Sequence, residues 1–240
     1  MATFEELKAK KQARINEVHR MIPSRTALLV IDMQRSFMDL EASLAVHTAW
    51  DILPPIKKMV DFCRSSGIPV IFTEFVAGPE VPCLRGDPFG PEHLLAVEGQ
   101  PTGWGLPSSN SVIGVEGPEC PDTIEELKPL PGELVVRAYT LDKFYGTPLD
   151  LALRAQDIRY LMFTGMMADL CLGATLFSAA MRDYRVTALT DCITTLWPNI
   201  LEAMYDIFGR KLARLMVSDE AIEELQGQME AEQPRSAVGV

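Results

Sequence analysis

Short apolar runs recur along the chain and are separated by stretches with helical periodicity. The first run, residues 26–32 with the sequence TALLVID, is almost entirely apolar and ends on the carboxylate of Asp32. Such a run is typical of a parallel strand that is covered on both faces, because neither face then needs polar residues. The same pattern predicts strands at residues 26–32, 68–73, 134–136, 160–164, 186–190 and 213–217.

Apolar residues at a spacing of three to four predict helices between these strands. The helices fall at residues 49–66, 148–156, 169–183 and 199–210. This alternation predicts an α/β fold: a doubly wound, mainly parallel sheet of about six strands with helices on both faces, in a Rossmann-like three-layer arrangement. Ligands bind at the carboxyl ends of the strands in such folds. Asp32, the residues after Val136 and the turn before Cys171 are therefore expected to converge.

Three segments depart from this alternation. Residues 4–22 have the pattern of an amphipathic helix, which we expect to pack on its own domain or on a partner subunit. Residues 77–131 are rich in proline and glycine, and a loop of this length inside a domain is usually functional, so we expect a lid over the pocket. Residues 227–240 are expected to be a disordered tail. We expect one domain over residues 1–240.

Composition and charge narrow the class of partner. The chain is 48% hydrophobic and carries a formal net charge of −11, which favours neither nucleic acid nor an anionic membrane surface. No apolar run approaches the ~18 residues of a membrane span, and the N-terminus lacks the apolar core of a signal peptide. The five cysteines show no CxxC spacing, so neither a disulfide framework nor a zinc cluster is indicated. We expect a cytoplasmic protein that binds a small molecule.

Cys171 is the most informative single residue, because it lies where an apolar strand breaks at Gly165 and turns into a helix. The free N–H groups at a helix start favour a thiolate and bind an oxyanion, which indicates a nucleophile. The alternative is an inert buried thiol, since cysteine is among the most buried residue types. Nearby, Asp169 is expected to cap this helix. Asp191 and Cys192 are expected to be structural.

Together these segments resemble the isochorismatase-like cysteine hydrolases over residues 26–217, most of the chain. The resemblance rests on residues 29–34 (LVIDMQ) with Phe37 and Asp39, residues 144–149 (FYGTPL), and residues 165–171 (GMMADLC) with Thr175. The chain resembles the amidohydrolase branch, which includes the ureidoacrylate, N-carbamoylsarcosine and biuret amidohydrolases, and the sequences of residues 144–154 and 160–164 are most similar to the ureidoacrylate amidohydrolases. The resemblance implies a cofactor-free hydrolase.

What the resemblance implies for the site is a triad of aspartate, lysine and cysteine. Asp32 would accept the thiol proton, and Cys171 would attack an amide or carbamoyl carbon to form a thioester that water then hydrolyses. A cis peptide bond would join Met166 and Met167. The backbone N–H groups of Met167 and Cys171 would form the oxyanion hole.

The lysine of this triad is missing at its family position. That lysine stands six residues before the aromatic residue equivalent to Phe144, and this position is Ala138. Three explanations compete: a substitution introduced at Ala138 to trap a substrate, a cation shifted to Arg137 or Lys143, or a natural loss or change of catalysis. Successive residues of a strand point to opposite faces of the sheet, so Arg137 is expected to point to the face opposite that of Ala138. The alternative interpretation of Lys143 is a solvated lysine at the start of a helix.

The metal set of the nicotinamidase branch is also missing. That branch carries an Asp-x-His pair after its second strand, where this chain has Thr73 and Glu74. The histidines at positions 19, 47 and 93 are too dispersed to suggest a metal site, so none is expected. Phe177 stands where relatives commonly have arginine.

Five residues are candidates for the substrate pocket, each with a structural or solvated alternative: Phe37, Gln34, Tyr145, Trp104 and Arg85. The sequence favours hydrolysis of a C–N bond in a small linear amide, ureide or carbamoyl compound, with release of ammonia or carbamate. The alternatives are hydrolysis of a vinyl ether, which in that branch of the family does without the cysteine, and a catalytically silent ligand-binding member. The resemblance further implies a homo-oligomer, a dimer or a tetramer.

Overall fold

A computed structural model describes residues 2–77, 99–106 and 110–232. These residues form a six-stranded parallel sheet in the order β3-β2-β1-β4-β5-β6. The strands are β1 (Thr26–Ile31), β2 (Val70–Phe75), β3 (Leu134–Ala138), β4 (Tyr160–Met166), β5 (Arg185–Thr194) and β6 (Ala213–Met216). This is the doubly wound order, and the direction of winding reverses between β1 and β4. The α/β prediction is confirmed.

Seven helices accompany the sheet in the described part of the chain. They are α1 (Phe4–Val18), α2 (Arg35–Met38), α3 (Leu53–Ser65), α4 (Leu149–Ala155), α5 (Cys171–Met181), α6 (Pro198–Ile207) and α7 (Ser218–Glu232). A π-turn at Phe208–Leu212 follows α6. Helix α3 packs on β1 and β2 and beside α7, whereas α5 packs on β4 and β5. None of the described helices is both long and apolar enough to cross a lipid bilayer.

The strands that carry the site lie at the centre of the core. All six residues of β1 are buried, as are all six of β2 and the last six of β4. Their continuous apolar pattern follows from this position, because helices cover both faces. Several strands extend past their predicted ends, because parallel pairing continues to Phe75 with Ala138 and to Met166 with Thr194.

The two ends of the chain differ from the sequence prediction. The helix predicted over residues 4–22 ends at Val18, because His19 leaves the helix and its Nδ1 lies 2.7 Å from the Val186 carbonyl. All residues of α1 are described and none is fully buried, so its packing on a partner stays a prediction. The tail does not begin at residue 227, since α7 continues to Glu232 with Met229 packed against the core. Residues 233–240 lie outside the described part.

Only part of the long insert is described, at residues 77, 99–106 and 110–131. Two isolated bridges tie this part to the segments that follow β1 and β2, Gln34 with Thr123 and Ala77 with Val112. Buried Ser111 strengthens the attachment, because its hydroxyl lies 3.0 Å from the Ser36 hydroxyl. A lid function for residues 77–131 stays a prediction.

Candidate active site

The carboxyl ends of the central strands bring together an aspartate, a lysine and a cysteine. Asp32 follows β1 directly, with φ of 50°, a left-handed conformation that aspartate tolerates better than most residues. Cys171 is the first residue of α5, a few residues after the end of β4. Lys143 lies in the loop between β3 and α4. The predicted convergence of the strand ends is therefore confirmed.

The cation beside Asp32 is Lys143. Its Nζ lies 2.8 Å from Asp32 Oδ2, and the two side chains are 0% and 1% exposed. The alternative of a solvated lysine is wrong, because the side chain is buried against Asp32. The sequence gives no sign that the loop turns inward. Ala138 is buried at the end of β3. Arg137 points away, as strand alternation predicts, and forms ion pairs of 2.9 Å with both Glu74 and Asp122.

Lys143 is held by its backbone as well as by its charge. Its N–H donates to the Thr175 hydroxyl at 3.1 Å, and its Nζ lies 3.4 Å from the Thr140 carbonyl. The ammonium also lies 5.0 Å from the centre of the Phe75 ring, within the range of a cation–π contact. A buried charge needs such partners, because desolvation of an ion costs several kcal/mol.

Asp32 is fixed by its neighbour on β2. The Thr73 hydroxyl donates to Asp32 Oδ1 at 2.6 Å, and the Asp32 N–H lies 3.2 Å from both the carbonyl and the hydroxyl oxygen of Thr73. The carboxylate therefore has a hydroxyl donor on one oxygen and an ammonium on the other. Sequence analysis missed this role of Thr73, although a threonine at the end of a strand adjacent to β1 was a detectable signal.

Cys171 is a buried thiol between these two charges. Burial raises its pKa well above the ordinary cysteine value, and the charge of Lys143 acts in the opposite direction. The Asp32 carboxylate raises the pKa further, by its charge and by accepting a hydrogen bond from the thiol. The thiol therefore has a proton acceptor next to it and a positive charge that favours its ionised form.

The turn between β4 and α5 begins with a cis peptide bond between Met166 and Met167, as the resemblance implies. The Leu170 N–H donates to the Met167 carbonyl at 3.0 Å, and this folds the chain back so that Cys171 starts the helix close to Met167. The backbones of the two residues expected to form an oxyanion hole are thus neighbours.

The prediction that Asp169 caps α5 is wrong. Leu170 stands at the N-cap, and Asp169 Oδ1 instead accepts a short hydrogen bond from the Thr195 hydroxyl. Asp191 has the structural role that was expected, since its carboxylate accepts from both the N–H and the hydroxyl of Ser218 at the start of α7.

The substrate-pocket candidates fall into different environments. Phe37 stacks on Trp104, with ring centres 6.3 Å apart, and lies 6.4 Å from Phe75. Tyr145 is 57% exposed. Arg85 lies outside the described residues.

Gln34 was also expected in the pocket, but its side chain is fully buried and occupied. It donates to the Phe75 carbonyl and accepts from the Phe75 N–H, at 2.9 and 2.8 Å. This amide therefore joins the ends of β1 and β2, and a pocket role for it stays a prediction. Phe177, at the position of the relatives' arginine, packs edge-on against Phe208 at 6.2 Å.

No group of three or more histidine, cysteine, aspartate or glutamate side chains is placed to hold a metal ion within residues 2–77, 99–106 and 110–232. Of the three histidines, His19 lies against β5, His47 begins a short 3₁₀ turn, and His93 is outside these ranges. The absence of a cofactor stays a prediction.

The chain is similar to a known domain family and to named amidohydrolases. The Isochorismatase domain model matches residues 26–216. The chain is 29% identical over 175 residues to ureidoacrylate amidohydrolase RutB of Cronobacter turicensis, covering 70% of this chain and 74% of that protein. It is 28% identical over 195 residues to the RutB of Pseudomonas savastanoi pv. phaseolicola, with 78% and 79% covered.

Solved structures give the same picture. N-carbamoylsarcosine amidase of Thermoplasma acidophilum superposes with a TM-score of 0.63 at 29% identity, covering 81% of this chain and 97% of that one. A cysteine hydrolase of Pseudomonas syringae pv. phaseolicola shares the fold, with a TM-score of 0.70 at 22% identity over 87% and 96% of the two chains. Because the domain model matches most of its length, the chain belongs to the isochorismatase family.

Proposed function

We propose that this protein hydrolyses a C–N bond in a small linear amide, ureide or carbamoyl compound through a thioester on Cys171. The observation that carries the proposal is the buried ion pair of Asp32 and Lys143, 2.8 Å apart, beside the thiol. The similarity to ureidoacrylate amidohydrolases and to an N-carbamoylsarcosine amidase supports the substrate class.

In the first half of the reaction, Asp32 takes the Cys171 proton as the sulfur attacks the carbonyl carbon. The oxyanion that forms is bound by the N–H groups of Met167 and Cys171. The C–N bond then breaks, and the proton held by Asp32 passes to the departing nitrogen. The products of this half are an amine, or ammonia, and an acyl thioester.

In the second half, Asp32 accepts a proton from water while the water oxygen attacks the thioester carbon. The C–S bond breaks, the proton returns to the sulfur, and the acid leaves. A carbamoyl substrate would release carbamate in this step. Lys143 takes no part in the proton transfers; its positive charge stabilises the thiolate when the sulfur attacks and when it departs.

The test is ammonia release from a panel of primary amides and ureides, with mass spectrometry of the enzyme during turnover. We expect a substrate-derived acyl adduct on Cys171, and a loss of about 10³-fold or more in kcat for Cys171→Ala. Cys120→Ser is the matched control and should keep full activity, since the charged neighbours of Cys120 are Asp122 and Arg35 rather than Asp32 and Lys143. Full ammonia release by Cys171→Ala would contradict the thioester mechanism.

A further inference from the structure

One face of α5 begins with Cys171 and then contacts the loop that carries Lys143. Cys171, Thr175, Ser178 and Arg182 follow one another at spacings of four, three and four residues. Residues with this spacing lie above one another on the same side of a helix. The face therefore forms a straight row that begins at the thiol and ends at Arg182, the C-cap of the helix.

The row is matched by three consecutive loop residues. The Lys143 N–H donates to the Thr175 hydroxyl at 3.1 Å, and the Ser178 hydroxyl donates to Asp142 Oδ2 at 2.7 Å. The third loop residue is Phe144, and the Arg182 guanidinium lies 4.9 Å from the centre of its ring. Each turn of α5 after the nucleophile thus contacts one residue of the loop.

The loop is also braced internally around Lys143. Asp142 Oδ1 accepts from the Phe144 N–H at 2.8 Å, and the Asp142 carbonyl accepts from the Thr140 hydroxyl at 2.8 Å. On the other side, the Thr147 hydroxyl donates to the Lys143 carbonyl at 2.5 Å. These bonds brace the loop on both sides of Lys143, and the α5 row connects it to the helix that begins at Cys171.

We propose that Thr175 and Ser178 are positioning residues that hold Lys143 at Asp32. A lysine on a strand is placed by the hydrogen bonds of the sheet, whereas a lysine on a loop needs other anchors. Its ammonium must stay buried within hydrogen-bonding distance of one carboxylate, and looser placement weakens the field at the thiol. This inference rests on the proposed function, in which the Lys143 charge acts on Asp32 and Cys171.

The experiment compares Thr175→Val and Ser178→Ala with the conservative variants Thr175→Ser and Ser178→Thr. Met181→Gln is the matched control, because Met181 is on the same helix but is 72% exposed. Two quantities are measured for each folded variant: kcat and KM for ammonia release, and the pH dependence of Cys171 alkylation by iodoacetamide. Alkylation needs no substrate, so it reports on the thiol even if the substrate panel is poorly chosen.

We expect kcat to fall about tenfold or more in Thr175→Val and Ser178→Ala, with little change in KM. Their alkylation profiles should move to higher pH, because a displaced Lys143 lowers the pKa of the thiol less. The conservative variants and Met181→Gln should behave as wild type. Ser178→Ala is the stricter test, since Ser178 reaches the site through Asp142, whereas Thr175 also donates to the Cys171 carbonyl at 2.7 Å.

Wild-type kcat and a wild-type alkylation profile in Ser178→Ala and Thr175→Val would overturn the inference. Lys143→Met serves as the reference for a lost cation and separates this failure from failure of the proposed function. If Lys143→Met itself alkylates and turns over as wild type does, the role of the cation fails. If it is impaired while the two anchor variants are not, only the positioning role fails.

Discussion

At the scale of single residues, the site is determined by which charge can reach Asp32. Lys143 is entirely buried, and an unpaired ammonium at such a position would cost several kcal/mol. Asp32 Oδ2, 2.8 Å away, offsets that cost, and the alkyl chain of the lysine gains from burial. The Arg137 guanidinium already forms ion pairs with Glu74 and Asp122, on the side of β3 that faces away from Asp32.

Thr73 is the residue on which the orientation of Asp32 depends. Thr73→Val keeps the shape of the side chain but removes the 2.6 Å hydrogen bond to Oδ1. Hydrogen bonds to charged groups contribute about 1.5–3 kcal/mol, so we expect kcat/KM to fall about 10- to 100-fold. Steady-state ammonia release measures this loss. Thr73→Ser, which keeps the hydroxyl, should retain most of the activity, and an equal loss in both variants would contradict the role of the hydrogen bond.

At the scale of elements, the close approach of β4 to β1 brings the nucleophile's turn to Asp32. Gly165 pairs with Ile31 at the end of this contact and has φ of 106°. A Cβ added there would lie 2.1 Å from the Ile31 carbonyl oxygen, which is backbone and cannot move aside. Only glycine permits both the conformation and the approach.

Gly165→Ala should therefore destabilise the fold by about 3 kcal/mol or more, because the clash would separate the two central strands. Gly132→Ala is the matched control, since Gly132 also has positive φ, 96°, but meets no atom within 4 Å of an added Cβ. We expect it to cost about 1 kcal/mol. Urea unfolding measures both free energies, and equal losses would show that the clash has no effect.

At the scale of the whole molecule, the strands and the helices between them could be predicted from the sequence, because their apolar residues recur with a regular period. Apolar runs such as residues 26–32, alternating with helical patterns, specified the doubly wound sheet and hence the meeting of Asp32 and Cys171. This succeeded because both residues directly follow or begin regular elements. The similarity to known proteins agrees with the family inferred from the motifs around them.

The loop that carries Lys143 and the end of α7 could not be predicted in the same way, because they have no regular apolar pattern. Lys143 lies on a loop, and its inward direction depends on contacts with Thr175, Ser178 and Arg182, which are more than 30 positions away in the chain. Local pattern left both Arg137 and Lys143 open as a substitute cation, each with a structural or solvated alternative. Likewise, α7 extends to Glu232, and Met229 packs against the core. The polar residues on either side of Met229 gave no apolar pattern from which this contact could be predicted.

The proposed mechanism requires Lys143 as the cation of the site, and removal of this charge is its most direct test. We expect Lys143→Met to lower kcat/KM for ammonia release about 10³-fold, because Asp32 would remain buried without its counter-charge. Lys128→Met, at an exposed lysine, is the matched control and should be fully active. Ala138→Lys added to Lys143→Met, which returns a cation to the family position, should recover at least about tenfold. Undiminished activity in folded Lys143→Met would contradict the account.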